Sequence, residues 1–120
     1  ALGSSSLKHG AIWKYLLNPE TIKSCLYIIS NGDGAIKVGV SKNPKRRVKQ
    51  LQTGNENKLE LLFYEEFECP REKIFQIEKM VHRDLSMRCK KKVGEWFYLD
   101  KIDFEQVKNT IIWHRIRYDE

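Results

Sequence analysis

Residues 25–40 read CLYIISNGDGAIKVGV: a short apolar run, a glycine-rich connection, then a second short apolar run. Cys25 to Ile29 is rich in β-branched and aromatic residues, and Ala35 to Val40 repeats the pattern. Asn31-Gly32-Asp33-Gly34 between them can supply positive φ, and the whole stretch predicts a β-hairpin. Side chains alternate along each strand, so Tyr27 and Lys37 share a face only if paired residue numbers sum to an even value. A three-residue loop such as Asn31 to Asp33, closing on Gly34, gives that register; a two-residue loop does not.

Working outward from the hairpin, Ser41-Lys42-Asn43-Pro44 reads as a helix start, with Asn43 as N-cap and Pro44 at the first helical position. Val48 and Leu51 would face inward, and Gly54 would end the helix. Lys58 to Phe67 predicts a third strand. Pro70 opens a longer helix in which Ile74, Ile77, Val81 and Leu85 form one apolar stripe, ending near Met87 before the basic stretch Arg88 to Lys92. Glu95 to Leu99 reads as a short extended segment with Trp96 or Phe97 in the core. Asp103 would cap a last helix that turns Phe104, Val107, Ile111 and either Trp113 or Ile116 inward. Upstream, Ile12 to Leu17 reads as a short docked helical arm ended by Asn18-Pro19, and Ala1 to Ser6 as a tag remnant or processed end. This divides the chain into an arm, 1–23, and a main domain, 24–120. The order β-β-α-β-α-β-α predicts a small α+β domain: a mainly antiparallel sheet, built from the hairpin plus one or two further strands, flanked by helices.

At 120 residues the chain is one domain in size, burying roughly two thirds of its unfolded surface. Its 41% hydrophobic and 32% charged content excludes a disordered tail. No apolar run approaches the roughly 18 residues of a membrane span, so no membrane partner is expected. The three cysteines, Cys25, Cys69 and Cys89, are widely spaced with no CxxC pair. That argues against a disulfide framework or thiolate zinc site and for a reducing intracellular setting, cytoplasmic or nuclear. The net charge of +6 favours a polyanionic partner.

The cations are not evenly spread. Lys42, Lys45, Arg46, Arg47 and Lys49 fall on or beside the first helix, with no acid between Ser41 and Asn55. Ordinary helix decoration interleaves acidic partners at i,i+4, so this one-signed run suits a phosphate backbone. Lys90, Lys91 and Lys92 form a second basic cluster, on the same surface or another. Glu78 and His82 stand one turn apart at the margin of the long helix's apolar stripe, where a half-desolvated carboxylate suits a cation or an ion pair. Singly, each of these residues also has an ordinary structural reading: a solvated face, an edge-of-core salt bridge, a hydrogen-bonded histidine.

Together they form a pattern. Leu26-Tyr27-Ile28, Lys37-Val38-Gly39, Arg47 eight residues after that glycine, and Glu78 on a later helix resemble the GIY-YIG nuclease superfamily. More narrowly, Lys37 to Arg47, Leu51-Gln52-Thr53-Gly54-Asn55, Glu78 with His82, and Gly94-Glu95-Trp96-Phe97 resemble its phage T5 open-reading-frame and meiotically up-regulated gene branch. The likeness spans about Cys25 to Leu99. Leu26 stands where the first motif has glycine, and Lys37 replaces the second motif's tyrosine, as is usual in this branch. The resemblance implies a DNA endonuclease that hydrolyses phosphodiester bonds with one divalent ion, Mg²⁺ or Mn²⁺. It implies Tyr27 as general base, Arg47 as phosphate clamp and Glu78 as metal anchor, with Lys37 and His82 in the same catalytic site. A phenol in water gives up its proton only near pH ~10, so Tyr27 needs cations beside it, which Lys37, Arg47 and the metal would supply. The competing readings are a catalytically silent nucleic-acid-binding module of the same fold, and an interaction domain that docks an acidic protein. Only the nuclease requires Tyr27, Arg47 and Glu78 to meet in one hollow.

Overall fold

A computed structural model describes residues 20–119. Its elements run β1 (Ile22–Ser30), β2 (Ala35–Ser41), α1 (Pro44–Gln52), β3 (Glu60–Cys69), α2 (Arg71–Arg88), β4 (Lys91–Val93), β5 (Trp96–Tyr98) and α3 (Lys101–Asp119). The fold is α+β, with three helices on a five-stranded antiparallel sheet of order β3-β1-β2-β5-β4. The arm expected at residues 12–17 lies outside the described residues, and β1 begins at Ile22, inside the stretch assigned to that arm.

The hairpin has the even register. Tyr27 lies opposite Gly39 and Ile29 opposite Lys37, so Tyr27 and Lys37 do share a face. The loop is three residues long but one position later than expected, Gly32 to Gly34, closed by Asn31 N–H donating to the Ala35 carbonyl at 3.2 Å. Gly32 and Gly34 both take positive φ, 74° and 87°, which side chains resist. The Asn31 side-chain oxygen accepts from the Asp33 and Ala35 N–H groups at 2.8 and 3.2 Å, tying the loop to its own stem.

Alternation sends the hairpin's residues into two separate cores. Leu26, Ile28, Ile36 and Val38 face α2 and α3, meeting Ile74, Ile77, Val81 and Leu85 of the predicted stripe, with Phe67, Phe97, Val107 and Ile111. On the other face Tyr27, Ile29 and Leu59 pack with Val48 and Leu51 of α1 and with Trp96. Trp96 and Phe97 therefore serve opposite faces of the sheet. Asn43 caps α1 as expected, its side chain accepting from Arg46 N–H at 3.1 Å with Pro44 at the helix start.

Three local expectations are corrected. The basic stretch holds a strand, β4, which pairs with β5 as a second hairpin (Val93 opposite Trp96). Gly94 and Glu95 turn it, and Gly94 at φ 60° fits the first position of a two-residue II′ turn. Helix α3 starts at Lys101, its first bond running from Phe104 N–H to the Asp100 carbonyl, so Asp103 sits within the first turn and does not cap it. Trp113 and Ile116 are exposed, not inward. At 100° per residue they stand roughly 160° and 140° round the helix from Ile111. The next place in line is taken by Arg115, whose Nε donates to the Glu66 carbonyl at 2.6 Å.

The two edges of the sheet carry opposite charge. Edge strand β3 holds Glu60, Glu65, Glu66 and Glu68, while edge strand β4 holds Lys91 and Lys92.

Truncating the fully buried Phe67 to alanine is expected to cost about 3–5 kcal/mol of unfolding free energy. Trp113→Ser should cost less than about 1 kcal/mol. Urea unfolding followed by circular dichroism checks both, and equal losses would contradict the buried position of Phe67 on β3 or the outward position of Trp113 on α3.

Candidate active site

Strand β5 accompanies only the start of β2, pairing Tyr98 with Ala35 and Phe97 with Ile36. From Lys37 to Ser41 the outer edge of β2 has no strand beside it among the described residues. Backbone groups on such an edge need other partners. His82 supplies one: its Nε2–H donates to the Val38 carbonyl at 2.7 Å. A carbonyl can only accept, so Nε2 carries the hydrogen in this bond. This bond pins α2 to the sheet edge, and the His82 ring lies 5.9 Å from that of Phe97.

A cleft of about 360 Å³ follows this bare edge. It wraps round β2, since Lys37 and Gly39 line it from one sheet face and Val38 and Val40 from the other. Tyr27 from β1, Arg47 from α1, and Glu78 and His82 from α2 complete its inner wall, with Lys92, Glu95 and Phe97 of the second hairpin opposite. All five residues expected in the catalytic site, Tyr27, Lys37, Arg47, Glu78 and His82, thus line one hollow.

Gly39 is what lets Tyr27 reach it. The Tyr27 ring crosses β2 directly above Gly39. A Cβ at that position would clash with the phenol oxygen and come within 2.6 Å of Cζ. Any side chain there would displace the ring, so glycine is needed for close approach and not for a special φ. Arg47 reaches the cleft because it precedes Val48, at the margin of the face that α1 packs against the sheet.

Glu78 is half-buried, and burial pushes its carboxyl above the ordinary value of 4.5. His82 and Lys37 oppose that rise, while the Glu95 carboxylate adds to it. Among the described residues Glu78 forms no hydrogen bond or ion pair. A partly desolvated carboxylate with no cation of its own suits a hard divalent ion. Among the described residues no group of three or more His, Cys, Asp or Glu is placed to hold a metal. Of the two cleft carboxylates, Glu78 and Glu95, Glu78 is the one without an ion-pair partner among the described residues. It could hold such an ion, with water and phosphate oxygens completing its shell.

Lys37 is held in place. Its Nζ donates to Glu95 Oε2 at 2.6 Å, with the lysine side chain 14% exposed and the glutamate 78%. The lysine in turn holds the Glu95 carboxyl below the ordinary value, aided by His82 and Arg47. Glu95 was singled out in the sequence without a role. The II′ turn places it at the tip of the second hairpin, over the cleft, and the glycine before it is the signal that would have placed it there.

The two basic clusters behave differently. Lys42, Lys45, Arg46 and Lys49 are exposed and form no ion pair with a described residue. In the second cluster Lys90 pairs with Asp100 at 2.6 Å, and Lys91 lies 4.6 Å from the centre of the Tyr98 ring. Only Lys92, over Phe97, joins the cleft. The Leu51 to Asn55 motif is architectural: Gln52 donates to the Asn57 carbonyl at 2.8 Å and accepts from Leu59 N–H at 2.7 Å, clamping the loop that leads into β3.

The family model of the T5orf172 domain matches residues 24–115 of the chain. No curated protein and no solved structure matches it.

The raised Glu78 value has a stability consequence. Folded protein holds that proton more tightly than unfolded chain, so the group's contribution is fully present below 4.5 and is lost as pH rises through the folded value. Glu78→Gln is therefore expected to melt at or above the wild-type temperature at neutral pH, with the difference vanishing in acid. Thermal melts across pH 4 to 8 check this, and a clear destabilisation at neutral pH would contradict it.

Proposed function

The chain belongs to the T5orf172 domain family, and we propose that it is a divalent-metal-dependent DNA endonuclease of the GIY-YIG kind. The family is associated with nuclease-type domains and indicates a nucleic-acid-related function. One observation carries the finer reading: Tyr27, Arg47 and Glu78, from three different elements, line a single cleft beside a helix whose cations form no ion pair with a described residue. An interaction domain for an acidic protein would need the cations but not that convergence.

In this reading the exposed lysines and Arg46 of the α1 region hold the DNA backbone, and Arg47 holds the scissile phosphate, its planar fork matching two oxygens. Tyr27, as phenolate, takes a proton from the attacking water. The new bond forms between water oxygen and phosphorus, and the bond to the leaving sugar oxygen breaks. Lys37, kept in place by Glu95, neutralises charge building on the phosphoryl oxygens. Glu78 would hold Mg²⁺ or Mn²⁺, which when bound supplies Lewis-acid stabilisation of the phosphoryl and leaving oxygens. His82 acts by fixing α2, and with it Glu78, against the sheet edge.

Incubation with supercoiled plasmid and Mg²⁺ or Mn²⁺ is expected to yield nicked or linear DNA, and chelation should stop it. Tyr27→Phe and Glu78→Ala should each lower the rate by about 10²-fold or more while leaving DNA binding within a few-fold. Arg47→Ala should weaken both. Because burial lifts the Glu78 carboxyl above 4.5, protons compete for the metal anchor earlier on acidification than at an exposed glutamate. Cutting should accordingly fall as pH drops, before exposed carboxylates titrate. Cutting that survives both Tyr27→Phe and Glu78→Ala overturns the role assignment. Salt-sensitive binding without cutting supports the silent binding module instead.

A further inference from the structure

A second hollow, about 580 Å³, lies along α2 next to the cleft and shares Glu78 and His82 with it. Its far wall is built from Arg71, Phe75 and Lys79, which follow one another at i,i+4. The Phe75 ring is 42% exposed, and the Arg71 guanidinium carbon sits 5.4 Å from its centre. A lone exposed phenylalanine is ordinary surface. This one lines a hollow that shares Glu78 and His82 with the cleft, one helical turn from Glu78, between two cations that form no ion pair with a described residue. Glu72 also lines the hollow and offsets one of those charges, so phosphate neutralisation alone is a poor use of the site. Its distinctive offering is an aromatic face beside a guanidinium plane, and both stack on nucleobases.

We propose that this hollow is a stacking subsite for an unpaired nucleobase of the strand whose phosphate enters the cleft. The substrate class is then single-stranded or branched DNA, because bases inside an intact duplex have their faces covered by their neighbours. The inference rests on the nuclease reading of the cleft, and it adds which DNA that cleft takes.

The test compares an oligothymidylate with an abasic strand of the same length, which keeps the phosphates and removes the bases. Binding is measured by fluorescence anisotropy at fixed salt with chelator present. The wild-type protein is expected to prefer the base-bearing strand by about five- to a hundred-fold. Phe75→Ala should abolish that preference without changing affinity for the abasic strand, and Phe75→Trp should retain it. Circular dichroism confirms that the variants are folded. Equal wild-type affinity for the two strands, binding of neither, or a preference that survives Phe75→Ala each overturns the subsite. Plasmid cutting judges the nuclease reading separately. Cutting with no base preference removes the subsite alone, and base preference without cutting removes the nuclease while leaving the subsite.

Discussion

The second hairpin reaches only two residues along β2, and the rest of the molecule's chemistry follows from that early stop. An unaccompanied strand edge exposes backbone groups that must find partners, and a continuing neighbour would have filled the space the cleft occupies. Here the edge is served by a helix. His82 meets the Val38 carbonyl and thereby ties α2 to the edge, with Glu78 one turn away. The opening this leaves is bounded by both faces of the sheet. For that reason Tyr27, from the core on one face, and Glu78, on the helix that packs against the other face, can line the same hollow.

Two further details make the opening usable. The missing side chain at Gly39 lets the Tyr27 ring lie across β2. The II′ turn at Gly94 presents Glu95 to Lys37, so the lysine ammonium is held while its side chain stays largely covered. Glu78 receives no such partner among the described residues, although it is the more desolvated of the two carboxylates. A fold selected for stability alone would pair that group or replace it. An unpaired, half-buried carboxylate in a cationic cleft is the kind of local cost that functional sites carry.

Much of this was legible in the residues, for identifiable reasons. The hairpin can be read because glycine and asparagine punctuate two apolar runs, but the parity rule alone leaves the shared face of Tyr27 and Lys37 to the loop length, which the folded register decides. Asn43-Pro44 and the stripe Ile74-Ile77-Val81-Leu85 are short-range signals that tertiary structure had no cause to override. Strand β4 was hidden because its three residues are exposed and two are lysines, so its pairing depends on β5 and not on its own pattern. The Lys37–Glu95 bond joins residues 58 apart, and the His82–Val38 bond joins residues 44 apart. No periodicity encodes either. Trp113 misled because an aromatic residue near the end of a helix suggests burial, whereas the helix has by then run past the core and Arg115 occupies the inward line.

The opposed charges on the two sheet edges act beyond contact range. For a polyanion approaching from solution, four glutamates on one rim and lysines on the other exert a torque as well as an attraction. An approach over the acidic strand edge is disfavoured, which narrows the orientations sampled before the surfaces touch. Dissolved ions shorten the reach of that field to roughly 8 Å at physiological ionic strength. Pre-alignment is therefore a low-salt advantage in the speed of encounter, separable from how tightly the partners hold once they have met.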